Sequence, residues 1–410
     1  MTATPERGRP CAAGTRTRPA GGPLRILLAA STLTVLAGAV LTPVVELLRS
    51  DLGISPGAAG LVVTAHGLSL ALVGPSVGRA VDRWGVRGPL AAGLLIYGLA
   101  GGAGLVLDDY VALVASRLVF GVGAAAVFTG TTLGLLDLAE GAARDRMMGW
   151  RTSAISLGGV LWPLLGGALG TISWHAPFVV YLVGLPLGLA VLRTLPPRNR
   201  LVRPSGAGPG SGSVPPEPLL RGRPALVGIY GLQAVSGTLL YGVLVFLPAR
   251  LAELGLRDSF LVALFNALLS LVMSLTGLRF ARLRGRHHSS GLLVFAFAAW
   301  TAALVVLALG TSPILLLVLP PVVLGAGMGL AVPALTVLLA ERAPAGRRGQ
   351  ATALLGTVTF ASQFVAPLVF GPVEAVTSPS GVFLAAAALA GLTLLGVLVA
   401  GARRDAPRPW

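Results

Sequence analysis

Lysine is absent from this chain: all 31 basic side chains among its 410 residues are arginine. Charge of either sign is scarce at 11% of residues, roughly half of what a soluble globular protein carries. Water is the wrong solvent for a surface so poor in charge, which excludes an ordinary soluble domain. Cysteine is nearly absent as well. Cys11 stands alone, so neither an intrachain disulfide nor a cysteine metal site can form. The chain also lacks a phosphate-binding loop, a dinucleotide fingerprint and metal-ligand spacing, and His287 and His288 simply adjoin an arginine cluster. No catalytic residue, cofactor or metal is expected, and ATP hydrolysis is not the energy source.

What the chain has in abundance is apolar sequence, 54% of residues. Runs of about 18 to 27 mostly apolar residues recur twelve times, bounded by charges, prolines or polar turns. They cover residues 24–48, 57–78, 88–107, 110–138, 148–172, 175–193, 224–250, 258–283, 289–309, 313–340, 348–373 and 380–402. Backbone groups in lipid must find partners within their own segment, so each run is expected to be a helix crossing the bilayer. The first run follows a basic tail, as in a signal peptide, but it is long enough to span and is taken as a retained helix. The 56 glycines suit close helix packing.

The net charge of +16 could suggest a nucleic-acid partner, but the arginines sit in the gaps between apolar runs and never along one amphipathic face. With the N-terminus placed in the cytoplasm, almost every arginine falls in a cytoplasmic segment. The exceptions are Arg49, Arg250 and Arg257 outside, and Arg117 within a span. The positive-inside rule accounts for the charge, with both termini cytoplasmic and no nucleic acid involved. Residues 194–223, rich in Pro, Gly, Ser and Arg, read as a flexible linker dividing the spans six and six. The halves echo each other. GRAVDRWGVR at 78–87 recurs in degraded form as GLRFARLRGR at 277–286, and GGVLWPLLGG at 158–167 has a counterpart in ASQFVAPLVFG at 361–371. Such parallel six-span repeats mark one transporter architecture.

GRAVDRWGVR lies between spans 2 and 3 and has the form G-x-x-x-D-R-x-G-x-R. It resembles the signature loop of the major facilitator superfamily. Gly78 allows another helix to approach, Asp82 can face a helix N-terminus, Gly85 makes the turn, and Arg83 and Arg87 can pair with acids. Val86 stands where the family commonly has a basic residue. Span 4 carries LVASRLVFGVG, in which Arg117 is followed four and six residues on by glycines, similar to the superfamily's second signature. By the resemblance, Asp137 and Glu140 at the inner end of the same helix are candidate partners for Arg83 or Arg87 in a cytoplasmic gate. Span 5 carries SLGGVLWPLLGG, which looks like the antiporter signature of the drug:proton branch. Gly158, Pro163, Gly166 and Gly167 match, and Trp162 replaces a glycine. A proline among glycines kinks a helix and lets it pack tightly, sealing a leak path.

Polar side chains at membrane depth are few and are functional candidates by default. Arg117 lies about 12 Å below the outer rim and His66 about 14 Å along span 2. With Gln233, Asn266 and Gln363 they form the candidate coupling or substrate cavity, the alternative for Arg117 being to snorkel outward or bond a backbone carbonyl, and for each of the others a helix-packing hydrogen bond. Glu46 counts to the outer rim, and no carboxylate lies at mid-depth, which leaves His66 as the side chain that titrates near neutrality. The expected fold is an all-α membrane protein: twelve transmembrane helices in two six-helix, pseudo-repeated bundles, the major facilitator fold. Its domains are expected at 1–23 (cytoplasmic tail), 24–193 (first bundle), 194–223 (linker), 224–402 (second bundle) and 403–410 (tail). The resemblance implies a monomeric secondary transporter of the plasma membrane that exports a small neutral or anionic, partly apolar compound in exchange for protons. A proton-coupled importer or facilitator, and a non-transporting polytopic sensor, are the alternatives.

Overall fold

The computed structural model describes residues 21–138, 142–197, 220, 222–286, 288–344 and 347–405. Twelve helical segments in them are long and apolar enough to cross a membrane, and no strand occurs among the described residues. The first span, Gly21–Leu52, is interrupted. α1 (Gly21–Ala39) ends before a 3-10 turn at Thr42–Val44, and α2 (Val45–Leu52) resumes. Pro43, which has no N–H to give a preceding turn, stands at that break.

The next spans are α3 (Pro56–Trp84), α4 (Arg87–Gly102), α5 (Tyr110–Asp137) and α6 (Ala142–Gly170). The sixth opens as a 3-10 helix at Ala176–Val183 and continues as α7 (Gly184–Thr194). The second half holds α8 (Pro224–Glu253), α9 (Ser259–Arg284), α10 (Ser289–Leu309), α11 (Pro313–Arg342), α12 (Arg348–Val376) and α13 (Pro379–Asp405). The sequence sets their starts through side chains that accept otherwise orphaned N–H groups. Asp109 caps α5 through Ala112 N at 2.8 Å, Asp258 caps α9 through Phe260 N at 2.8 Å, and Ser55 caps α3 through Ala58 N. α3 stops at Gly85, whose φ of +78° few other residues adopt.

Buried apolar side chains separate along the chain. One cluster draws only on residues from Leu27 to Leu195, and two others only on residues from Leu226 to Ala390. These are the interiors of two six-span bundles. Between the bundles, α3 lies along α12 and α6 along α9. Of the linker predicted at 194–223, residues 198–219 and 221 lie outside the described residues.

Candidate functional site

The face of the molecule that carries both described chain ends is here the termini face, and the opposite one the far face. Glycines reveal where the bundles touch. Gly60, Gly67, Gly74 and Gly78 lie on one stripe of α3, because 7 and 11 residues are close to whole numbers of helical turns. A Cβ at Gly60 would come within 2.6 Å of Val245 Cγ1 and 2.9 Å of Pro367 Cβ, and one at Gly67 within 2.7 Å of the Phe360 carbonyl oxygen. At Gly74 and Gly78 it would meet nothing within 4 Å. The same holds on α6. Gly167 is pressed against Ala263, while Gly149, five turns away on the same face, is open. On α12, Gly371 backs directly onto Gly57, whereas Gly356 and Gly349 meet nothing within 4 Å. The bundles are therefore zipped together toward the far face and parted toward the termini face.

Three of the mid-depth polar residues, His66, Gln363 and Asn266, lie along that seam, and Gln233 bonds within its own bundle to α12, which lines it. His66 is 2% exposed, and its Nδ1 is 2.9 Å from the Val63 carbonyl of its own helix. The ring packs edge-on to Phe120 at 5.8 Å. It also borders Gly38 of α1, against which Tyr241 of the other bundle is set: a Cβ there would lie 3.2 Å from Tyr241 Oη and 3.5 Å from His66 Cε1. Gln363 abuts Gly67, one residue beyond His66, with its Oε1 buried and unpartnered. Asn266 donates from Nδ2 to Thr42 Oγ1 across the bundles at 2.9 Å, and Gln233 donates from Nε2 to Thr359 Oγ1 at 3.0 Å. Their side-chain oxygens are likewise buried without partners.

Arg117 is set apart from these four. It is 0% exposed and lies inside the first bundle, not on the seam. Its Nη2 donates to the carbonyls of Ala100 at 3.0 Å and Gly101 at 2.6 Å, in the last turn of α4. Those carbonyls have no partner within their own helix and carry the negative end of its dipole, which a guanidinium complements. The rings of Phe120, Phe178 and Tyr181 enclose it at 4.8, 5.1 and 4.9 Å. Phe120 touches both His66 and Arg117.

The junction of α3 and α4 is exposed in this arrangement. Asp82 and Arg83 face solvent, with Arg83 over the Trp84 ring at 5.8 Å. Arg87 donates from Nη2 to the Leu192 carbonyl and so caps the end of α7. Among the described residues no ion pair joins Asp137 to Arg83 or Arg87, and Glu140 lies outside the described residues. The repeat in the second half does make such a pair: Arg284 at the end of α9 bonds Glu341 at the end of α11. The span-5 motif is a packing device. Gly158 abuts Thr32 of α1 and Gly166 abuts Val40 just past its end, Gly167 abuts α9, and Pro163 stands between them inside α6. Trp162, the departure from the signature, donates from Nε1 to the Thr32 carbonyl at 3.0 Å.

Sequence reasoning passed over two arginines. Arg250, read as an outer loop charge, is buried and donates to the Leu307, Ala308 and Gly310 carbonyls at 2.9, 3.2 and 2.8 Å, while pairing with Glu253. It closes the end of α10 much as Arg117 closes the end of α4. Arg151, counted as a loop arginine, is only 8% exposed. α6 begins at Ala142, which puts Arg151 about 14 Å up the helix. Its guanidinium rests on the Phe128 ring at 5.2 Å, and its Nε and Nη2 are buried without a hydrogen-bond partner. The sequence signal available was its place in a run from Met147 onward that is otherwise uncharged as far as Arg193.

The family profile described as Major Facilitator Superfamily matches residues 27–367. Multidrug resistance protein 1 of Bacillus subtilis (strain 168) is 29% identical over 158 residues, 38% of this chain and 40% of that protein. Quinolone resistance protein NorA of Staphylococcus aureus (strain Mu50 / ATCC 700699) is 27% identical over 136 residues, 33% of this chain and 35% of that protein. The aligned stretch thus spans well under half of either relative. Among solved structures, a bacterial homolog of the human lysosomal transporter Spinster superposes with a TM-score of 0.74 at 18% identity, covering 92% of this chain and 94% of that one. A D-xylose-proton symporter superposes with a TM-score of 0.75 at 16% identity, covering 93% and 97%. A profile match over most of the chain, on a twelve-span fold with a one-sided seam between its halves, makes this protein a multi-pass membrane protein that belongs to the Major Facilitator Superfamily.

Proposed function

We propose that the protein exports a small, partly apolar, neutral or anionic compound from the cytoplasm in exchange for protons, by alternating access. The observation that carries this reading is the one-sided seam: glycines on a single helix face are crowded by the other bundle at one end and free at the other. Rocking the bundles about the middle of the seam exchanges which end is closed. The arginine-rich segments lie on the termini face, so that face is cytoplasmic and the arrangement is open to the cytoplasm. Both termini are then cytoplasmic, the membrane is the plasma membrane, and each monomer holds a complete pathway. The linker at 194–223 serves as a tether between bundles at 24–193 and 224–402.

In this account Gly78 and Gly74 receive α12 when the cytoplasmic side closes, and Asp82, Arg83 and Arg87 engage the inner ends of neighbouring helices, with Asp137 and Glu140 as partners. Gly158, Pro163, Gly166 and Gly167 keep α6 tight against α1 and α9, so that protons do not leak. His66 is the proton-carrying group on the seam. Gln233, Asn266 and Gln363 offer hydrogen bonds to the substrate. The relatives' names, multidrug and quinolone resistance, support export of a drug-like compound. No Asp or Glu stands in the middle of a described span, which favours a neutral or anionic substrate over a cation.

The test is uptake into acid-loaded proteoliposomes of a panel of neutral, anionic and cationic aromatic compounds. Antiport predicts accumulation of neutral or anionic members as protons leave, with collapse on dissipating the gradient. Accumulation only when the acid side is outside would identify a symporter and overturn the reading.

A further inference from the structure

We propose that Arg151 is the anion-recognising residue of the pathway, and that its ligand is the carboxylate of a small aromatic acid whose ring lies against Phe128 and Phe360. The inference rests on the transport reading above and specifies its substrate class.

Three observations converge on this residue. The first is the state of its guanidinium. Arg151 is 8% exposed, and Nε and Nη2 are both buried without a partner. These two atoms form one edge of the guanidinium, the fork that grips a carboxylate through two parallel hydrogen bonds. The two other deeply buried arginines described above are each anchored by backbone carbonyls: Arg117 gives Nη2 to those of α4, though its Nε and Nη1 are also buried without partners, and Arg250 bonds those of α10, with Glu253 besides. Among the described residues, neither a carbonyl nor an acid answers Arg151. A charged group held out of water with its fork unanswered is costly to fold, and an oxyanion offsets that cost.

The second is position. Phe128 is as far from the inner end of α5 as Arg151 is from that of α6, about 14 Å in each case. Phe128 also meets Phe360 of the other bundle edge-on at 5.3 Å. Phe360 is the residue whose carbonyl presses on Gly67, the last crowded glycine on the α3 stripe, while Gly356, one turn toward the termini face, meets nothing within 4 Å. Arg151 and the two rings therefore stand where the seam ends and the open cleft begins. A ligand there touches both bundles, as coupling to their rocking requires.

The third is chemistry. Phe128 covers one face of the guanidinium at 5.2 Å and is itself 38% exposed, so an aromatic wall adjoins the cationic fork. That pairing selects a flat apolar body bearing one planar anion, and penalises cations.

The experiment uses the purified full-length protein in detergent, with benzoate and 4-phenylbenzoate as anionic probes and the corresponding amides as neutral isosteres, binding being measured calorimetrically. Wild-type protein should bind the acids in preference to the amides. Arg151→Gln should weaken acid binding about ten- to hundredfold, as loss of a charge-assisted pair does, and erase the preference. Arg151→Lys, which keeps charge without the fork, should recover only part of it. Arg146→Gln, five residues away on the same helix and exposed, should leave both ligands unaffected. Equal binding of acids and amides by the wild type, which requires no variant to fold, overturns the proposal. So does an undiminished preference in a folded Arg151→Gln. If acids bind through Arg151 but no compound moves with a pH gradient, the transport reading fails and this assignment stands. If neutral compounds are transported and Arg151→Gln is indifferent, the assignment fails alone.

Discussion

One added methyl group at Gly60 should shift the balance between the two open states. A Cβ there would sit 2.6 Å from Val245 Cγ1 and 2.9 Å from Pro367 Cβ, closer than packed carbon atoms come, so the seam must spread or the side chains must move. Overpacking of this kind costs about 1 to 3 kcal/mol. The cost applies only while the far face is closed. The gain of roughly 1 kcal/mol from replacing glycine by alanine in a helix is common to both states and cancels. The equilibrium should therefore move about 5- to 150-fold toward the arrangement open at the far face. Gly74 lies on the same stripe and meets nothing within 4 Å, so Gly74→Ala should not shift the balance in that direction. Electron–electron distance measurements report the outcome, with spin labels at the exposed positions Arg79 and Gln350 on the inner ends of α3 and α12, in a Cys11→Ser background. Gly60→Ala should enrich a shorter distance as the termini face closes. An unchanged distribution, or the same change from Gly74→Ala, would refute the rocking seam.

Three further outcomes follow from the same geometry. Arg117→Ala uncovers the Ala100 and Gly101 carbonyls and empties an aromatic enclosure, so it should destabilise the fold by about 3 to 5 kcal/mol and lower the thermal midpoint in detergent, with Arg117→Lys intermediate; an unaltered midpoint would argue against the capping role. His66→Gln should abolish pH-driven transport while substrate exchange without a gradient survives in part, and unchanged gradient-driven uptake would move suspicion to Glu46, which in this structure is paired with Arg49 at 2.9 Å. Asp82→Asn should insert normally but turn over more slowly, because the loop acts when the termini face closes; normal turnover by correctly inserted protein would make the loop a topology signal only.

The spans were legible because length and apolarity are local properties. The run read at 313–340 is α11 at Pro313–Arg342, and the one read at 289–309 is α10 at Ser289–Leu309. The interrupted first span was not read, although Pro43 marks it. Side-chain direction was less accessible. Arg117 was expected at cavity depth and is at that depth, but it points into its own bundle, because the end of α4 offers carbonyls that no periodicity argument anticipates. Arg151 was grouped with the cytoplasmic arginines although the run read at 148–172 contains it, because it stood only three residues inside that start; α6 starts at Ala142, among charged residues that a helix accommodates at a membrane surface, and so carries Arg151 deeper. The seam glycines were visible as a composition, and only the packing of α3 on α12 shows which of them touch.

The central claim is that substrate and proton cross in opposite directions through one pathway. It is tested most directly by trapping a pH-sensitive dye inside proteoliposomes held at zero membrane potential, with no pH gradient imposed, and adding substrate outside. Antiport predicts that the lumen turns alkaline as substrate enters, relative to protein-free vesicles, and that His66→Gln removes the signal. Substrate entry with a lumen that stays neutral or turns acidic would contradict it.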